Sequence, residues 1–206
     1  PAYNAEGTIT GAIDSALNQS YRDFEVVVCN DGSTDSTGDI LDAKYGNNPR
    51  VKIIHQKNSG IGAASNACIQ HAKGKYILQL DSDDFLDHNT IERLLPHIRN
   101  NSTISCRSRY FYAQTDEFTT GWYVDGFSRE RILHGMIAHH PRLFRKRDWS
   151  RVGGHTEDLF NAVDFDIYLK LSEVGHMKFV DEELYTYTQH SKSTSVVDRK
   201  TQTINH

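Results

Sequence analysis

No stretch of the chain approaches the ~20 apolar residues of a membrane span, and no signal-peptide pattern opens it. A soluble protein of the cytoplasm is therefore expected. Cysteine is scarce: Cys29, Cys68 and Cys106 are odd in number and lack metal-type spacing. A disulfide framework is thereby excluded and a reducing compartment favoured. Basic runs and the aromatic signature of an RNA reader are both missing, and the net charge is -4. Nucleic acid and anionic membrane are poor partners for such a surface. There is no repeat, no low-complexity tract, no clear linker, no Walker loop and no true dinucleotide fingerprint. The initiator methionine is absent as well. Pro1-Ala2-Tyr3-Asn4 reads as a loop, so a fragment with its first strand upstream is expected.

What remains is 206 residues, 37% hydrophobic and 24% charged, enough for one compact α/β domain with a sizeable core. Apolar spacing predicts helices over 5–18, 35–45, 61–72 and 90–99. Between them, short β-branched runs predict strands over 24–29, 51–55 and 75–80. This rhythm implies a parallel sheet with right-handed crossovers, in which ligands bind beyond the carboxyl ends of the strands. The second half is less regular. It predicts strands over 104–112, 118–124, 177–180 and 184–187, and helices over 128–133 and 162–174.

Polar clusters fall at the predicted strand ends. The most informative is Asp81-Ser82-Asp83-Asp84, directly after an apolar strand. Like charges so close resist desolvation. A hard divalent cation, Mg²⁺ or Mn²⁺, would relieve them; a turn capping the next helix is the plainer reading. Asn30-Asp31-Gly32-Ser33 ends the first visible strand, where Asp31 can accept from a base or ribose or simply cap a helix. Asn58-Ser59-Gly60 through Asn66 is a Gly-rich helix entry, suited to phosphate or to close packing. Asp164 and Asp166 lie in the first turns of a predicted helix, favoured there by the helix dipole or retained as a general base. His139, His140 and His190 are solitary candidates among eleven histidines. Trp122 and Tyr123 offer faces for a sugar, or for the core.

Taken in order, Pro1-Ala2-Tyr3-Asn4, Asn30-Asp31-Gly32-Ser33, Asn58-Ser59-Gly60, Asp81-Ser82-Asp83 and Asp164 with Asp166 resemble family 2 glycosyltransferases of the GT-A fold. Asp14-Ser15-Ala16-Leu17-Asn18-Gln19, Met136-Ile137-Ala138-His139-His140 and Asn161-Ala162-Val163-Asp164 are similar to bacterial chondroitin and hyaluronan polymerases. The resemblance is to their second transferase domain, which adds glucuronic acid. It implies one α/β GT-A domain: a Rossmann-like nucleotide-binding half with a mostly parallel sheet over 1–100, a smaller mixed acceptor-side region over 101–190, and a flexible tail over 191–206. It implies inverting transfer from a UDP-sugar, UDP-glucuronate first, to a glycan acceptor in surface or capsular polysaccharide synthesis. The runners-up are UDP-glucose, UDP-galactose and a UDP-N-acetylhexosamine. Fusion to or association with another transferase domain also follows, and peripheral placement at the inner membrane face.

By the same resemblance Asp31 holds the uridine, in a pocket lined by Pro1, Ala2, Tyr3 and Asn4. Gly60, Asn66 and Ser82 contact the nucleotide-sugar. Asp81 meets the ribose or the metal shell. Asp83 and His190 ligate Mn²⁺ or Mg²⁺, and Asp164 is the catalytic base. His139 and His140 lie near the donor sugar or acceptor, and with Arg142 are candidates to face a C6 carboxylate. The Val163-Asp164 pair departs from the Glu-Asp of many members. Residues 105–121 match poorly, and the Gln-x-x-Arg-Trp motif of membrane-embedded synthases is absent. A binding domain without turnover and a receiver-like phosphoacceptor are the competing classes. The intact acids and His190 argue against the first, and the lack of a late lysine against the second.

Overall fold

The structure is a computed structural model describing residues 1–121, 126–137, 140–159 and 162–190. His139, Trp122, Tyr123 and the expected tail over 191–206 lie outside these residues. Helix α1 (Ile9–Leu17) buries Ile9, Ala12, Ile13 and Ala16, one stripe of an amphipathic helix. Strand β1 (Val26–Asp31) leads through α2 (Thr37–Tyr45) to β2 (Val51–Gln56). The two strands pair in parallel, Asp31 opposite Gln56, as a helical crossover allows. Helix α3 (Gly60–His71) precedes β3 (Tyr76–Gln79). Then come β4 (Phe85–Leu86) and α4 (Thr90–Leu94), which tightens into a 3₁₀ turn (Leu95–Asn100). Pro96 lacks the N–H that would carry the α ladder on.

The second half holds β5 (Asn101–Tyr112), β6 (Glu117–Thr120), α5 (Arg129–Ile132), β7 (Arg142–Arg145), α6 (Lys146–Arg151), α7 (Val163–Ser172) and β8 (His176–Gln189). A mixed sheet runs β3-β7-β5-β8-β4, with β6 paired to β5. One expectation changes here. The partner of β3 is β7, antiparallel, with Gln79 opposite Arg142, so β3 belongs to the mixed sheet. Element alternation sets the order of strands along the chain but not which neighbour each one takes. The two short strands expected over 177–187 are also one. Their register against β5 shifts between Val180, opposite Cys106, and Glu183, opposite Arg107. This irregularity accommodates Asp181 and Glu182, which ion-pair with Arg107 and Arg93.

Apolar side chains close both faces of the mixed sheet. Leu86, Ile98, Ile104, Leu143, Val180 and Tyr185 form one cluster. Ile69, Phe144, Trp149, Ile167 and Leu171 form another. Leu143 and Phe144 belong to different clusters because successive strand residues point to opposite sides. Ile9, Ile13, Val28 and Leu41 seat α1 and α2 on β1.

Helix α3 also approaches the loop before α7 very closely. A Cβ on Gly62 would stand 2.5 Å from the Thr156 carbonyl oxygen. Gly62→Ala is expected to destabilise the fold by about 1–3 kcal/mol, the usual cost of overpacking. Urea unfolding reads this; an unchanged midpoint would contradict so close a contact.

Candidate active site

The site begins at the carboxyl end of β1. Ala2 bridges to Asn30: its N–H donates to the Cys29 carbonyl at 2.8 Å, and its carbonyl accepts from the Asp31 N–H at 2.9 Å. Residues 1–4 therefore run beside the strand end. The Ser33 hydroxyl accepts from the Asn4 N–H at 3.0 Å, and Asn4 Oδ1 accepts from the Thr34 N–H at 2.8 Å. Tyr3 is left half exposed. The buried Asp31 accepts from Gln56 Nε2 (2.8 Å) and from the Ser59 and Gly60 N–H groups (2.9 Å each). It thus secures the entry to α3, whose first N–H groups lack helical partners. Three of about four carboxylate acceptor sites are engaged. Gly60 has a positive φ of +87° and open space where a Cβ would stand. Asn66 points elsewhere. Its amide donates to the His155 carbonyl (3.0 Å) and Glu157 Oε1 (2.8 Å) and accepts from the His155 N–H (2.9 Å), tying α3 to the loop before α7.

Beyond β3, the three acids have three different partners. Asp81 Oδ1 accepts from Arg142 Nη2 at 3.0 Å, and its Oδ2 stands 2.7 Å from His140 Nε2. Burial pushes this carboxyl up, but the charges of His140 and Arg142 hold it well below the ordinary range. Asp84 is fully buried. It accepts from the Tyr185 hydroxyl at 2.6 Å and the Thr188 N–H at 2.8 Å, and burial pushes it up to about 7. Asp83, with Ser82 beside it in the turn, stands 3.0 Å from His190 Nε2 through Oδ2. Burial and the Asp81 charge raise its pKa. The His140 ring lies against Tyr185 and Tyr187, with centroids 5.2 and 5.7 Å away.

Two donor sets fit a divalent ion. Cis ligands about 2.1 Å from an octahedral ion stand ~3.0 Å apart, the separation of Asp83 Oδ2 and His190 Nε2. Asp81, Asp84 and His140 also offer atoms within 4.8 Å of one another. Chemistry ranks the first set higher. Asp84 is fully buried and engaged by two protein donors, whereas Asp83 and His190 remain partly exposed, at 31% and 25% of their side chains.

The first turn of α7 holds Asp164 and Asp166. Asp166 accepts from Lys170 Nζ at 2.8 Å and the Thr156 hydroxyl at 2.9 Å. Asp164 accepts from the Phe165 N–H at 2.9 Å, lies 3.9 Å from Arg142 Nη1, and is 34% exposed in its side chain. A proton from an incoming hydroxyl can therefore reach Asp164 more readily than Asp166.

Sequence reasoning missed the layer behind these acids. Gln79 Oε1 accepts from Arg142 Nε at 3.2 Å, and its amide nitrogen lies 3.3 Å from His155 Nε2. Trp149 Nε1–H donates to His155 Nδ1 at 3.1 Å. A glutamine inside the apolar run Tyr76-Ile77-Leu78-Gln79-Leu80 was the available signal, since buried polar groups need partners.

The Glycosyl transferase family 2 model matches residues 1–156. The chain is 44% identical over its whole length to chondroitin synthase of Pasteurella multocida (strain Pm70) and 43% to hyaluronan synthase of Pasteurella multocida, covering 22% of each. It is 42% identical to chondroitin synthase of Escherichia coli, covering 30% of it. The chain thus spans less than a third of these relatives. Among solved structures, S. aureus TarS 1-349 aligns with a TM-score of 0.74 at 25% identity, over 91% of this chain and 58% of that one. Its complex with UDP-GlcNAc aligns at 0.77 and 23% identity, over 94% and 58%. The GT-A architecture is shared.

Burial holds the His155 pKa down to about 3. The unfolded ring, near 6.5, binds a proton that the folded ring refuses. Stability from this group is complete above pH 6.5 and falls as pH drops toward 3. From pH 7 to 5 the loss is about 2 kcal/mol. His155→Gln should remove this slope in urea unfolding at pH 5, 6 and 7; an undiminished slope would contradict a neutral buried His155.

Proposed function

This chain belongs to glycosyl transferase family 2, and from that premise we propose that it is a metal-dependent transferase. It moves a sugar from a UDP-sugar, with inversion, to a glycan acceptor, and UDP-glucuronate is the first donor. The observation that carries this reading is the grouping of separate functions at one end of the sheets. Asp83 and His190 stand as neighbouring ligands (3.0 Å), while Asp164 is linked to Asp81 through Arg142 (3.9 and 3.0 Å). Residues 1–4, Asp31 and Gly60 supply the wall for the nucleotide, and His140 and Ser82 flank the donor side.

In this mechanism Asp83 and His190 would hold the cation, Mn²⁺ or Mg²⁺; the carboxylate suits either ion, and the imidazole nitrogen is accepted more readily by Mn²⁺. A bound cation neutralises charge that develops on a departing diphosphate. Asp164 orients the acceptor hydroxyl and accepts its proton. Direct inversion needs one such base and no covalent intermediate, by the logic of inverting glycoside hydrolysis. Asp166, neutralised by Lys170, supports the start of α7.

The relatives named chondroitin and hyaluronan synthases, at 42–44% identity, support a role in polysaccharide assembly, with this chain as one transferase unit beside another. The solved complex of TarS with UDP supports the choice of nucleotide. No helix among the described residues is long and apolar enough to cross a membrane. We place the chain in the cytoplasm, peripheral at the inner membrane face.

A donor screen read by UDP release in Mn²⁺ tests the substrate. Turnover of UDP-glucuronate is expected; turnover only of UDP-glucose, UDP-galactose or a UDP-N-acetylhexosamine would overturn that donor. Asp164→Asn is expected to lower kcat about 10²–10⁴-fold, the usual contribution of a general base. UDP affinity should stay within about threefold, since the base acts in the transition state. Asp83→Asn should weaken UDP binding in Mn²⁺ by about 10–100-fold, the scale of lost metal support. Calorimetry showing equal UDP affinity with and without Mn²⁺ would refute the metal-dependent reading.

A further inference from the structure

We propose that Arg142 is a positioning residue of the transfer. Its buried guanidinium ties Asp81, on the donor side, to Asp164, on the acceptor side, and so sets where the proton-accepting carboxylate stands. The proposal rests on the reading of Asp164 as the base.

The geometry is that of a fork held from behind. Strand pairing sets Arg142 opposite Gln79, and the Arg142 side chain is 6% exposed. A cation so deep persists only when its neighbours answer its charge. Nη2 donates to Asp81 Oδ1 at 3.0 Å, Nε donates to Gln79 Oε1 at 3.2 Å, and Nη1 lies 3.9 Å from Asp164 Oδ2, a charge contact. Behind Gln79 stands His155 at 3.3 Å, held by the Trp149 N–H and by the bonds of Asn66 to its backbone. Segments from α3, β3, α6 and the loop before α7 therefore fix one planar group.

Asp164 needs such a reference. Among the described residues its other partner is the N–H of Phe165, the next residue, which ties the side chain to its own helical turn. Arg142 is the contact that refers it to the donor side. Lysine cannot substitute, because a single ammonium lacks the rigid fork that bonds Asp81 and Gln79 in different directions while facing its charge toward Asp164.

A double-mutant cycle separates positioning from plain structural support. Arg142→Lys should lower kcat about 10²-fold, the cost of misplacing a reacting group by about 1 Å. UDP affinity in Mn²⁺ should stay within about threefold, because Asp81 keeps its 2.7 Å contact with His140 and Arg142 itself acts on the placement of the base. In an Asp164→Asn background the same change should lower the residual rate by less than about threefold, since residues acting through one another are not additive. A full second drop, or a loss of UDP affinity matching the loss of kcat, overturns the proposal. Should Arg142→Lys fail to fold, Gln79→Leu withdraws the Nε partner and keeps the cation. It should lower kcat about tenfold, with the same non-additivity toward Asp164→Asn, and an additive loss again overturns the proposal. The two readings fail differently. Wild-type kcat in Asp164→Asn removes the base, and Arg142's role with it. A crippled Asp164→Asn whose loss adds to that of Arg142→Lys removes Arg142's role alone.

Discussion

Three carboxylates within four residues, just beyond the end of β3, cannot all be ionised and left to one another. The structure answers by giving each acid its own partner. Asp81 faces Arg142 and His140, Asp84 turns inward to the Tyr185 hydroxyl and the Thr188 N–H, and Asp83 faces His190. In the proposed mechanism this sorting leaves Asp83 as the metal ligand, Asp81 as the partner of a fixed cation, and Asp84 as a structural tie. The proposed chemistry depends on that division of roles.

Topology delivers the partners. The antiparallel pairing of β3 with β7 sets Gln79 opposite Arg142, two residues before Asp81. The pairing of β4 with β8 sets Leu86 opposite Tyr185, which brings the Tyr185 hydroxyl under the acidic turn and directs the end of β8, with His190, toward Asp83. Helix α7 starts after Ala162, a residue with positive φ (62°), and carries Asp164 in its first turn. Residues more than a hundred positions apart thus meet because two short antiparallel pairings join the halves of the chain.

Much of this was legible in the order of residues. The periodicity over 5–18 and 61–72 became α1 and α3, and the motifs at 30–33 and 81–84 fell at strand ends. The family assignment rested on the same motifs. Less legible were β7 and α6, where Arg142, Arg145, Lys146 and Arg147 mask the alternation of Leu143 and Phe144, and β4, two residues long. The unbroken β8 was hidden because Asp181-Glu182-Glu183 reads as a turn until Arg93 and Arg107 are placed beside it. Within the site, Asp83 with His190 followed from family motifs. The link from Gln79 through Arg142 to Asp164 needs strand register, which local patterns do not specify.

The central claim is that Asp83 and His190, not the inner acids, grip the cation on a nucleoside diphosphate. A crystal structure grown with UDP and Mn²⁺, with the ion located by its anomalous signal, tests it most directly. The expected result is an ion about 2.1 Å from Asp83 Oδ2 and His190 Nε2, within the range for hard octahedral ions, and touching the diphosphate. An ion seated among Asp81, Asp84 and His140, or a diphosphate bound away from Asp83, would contradict it.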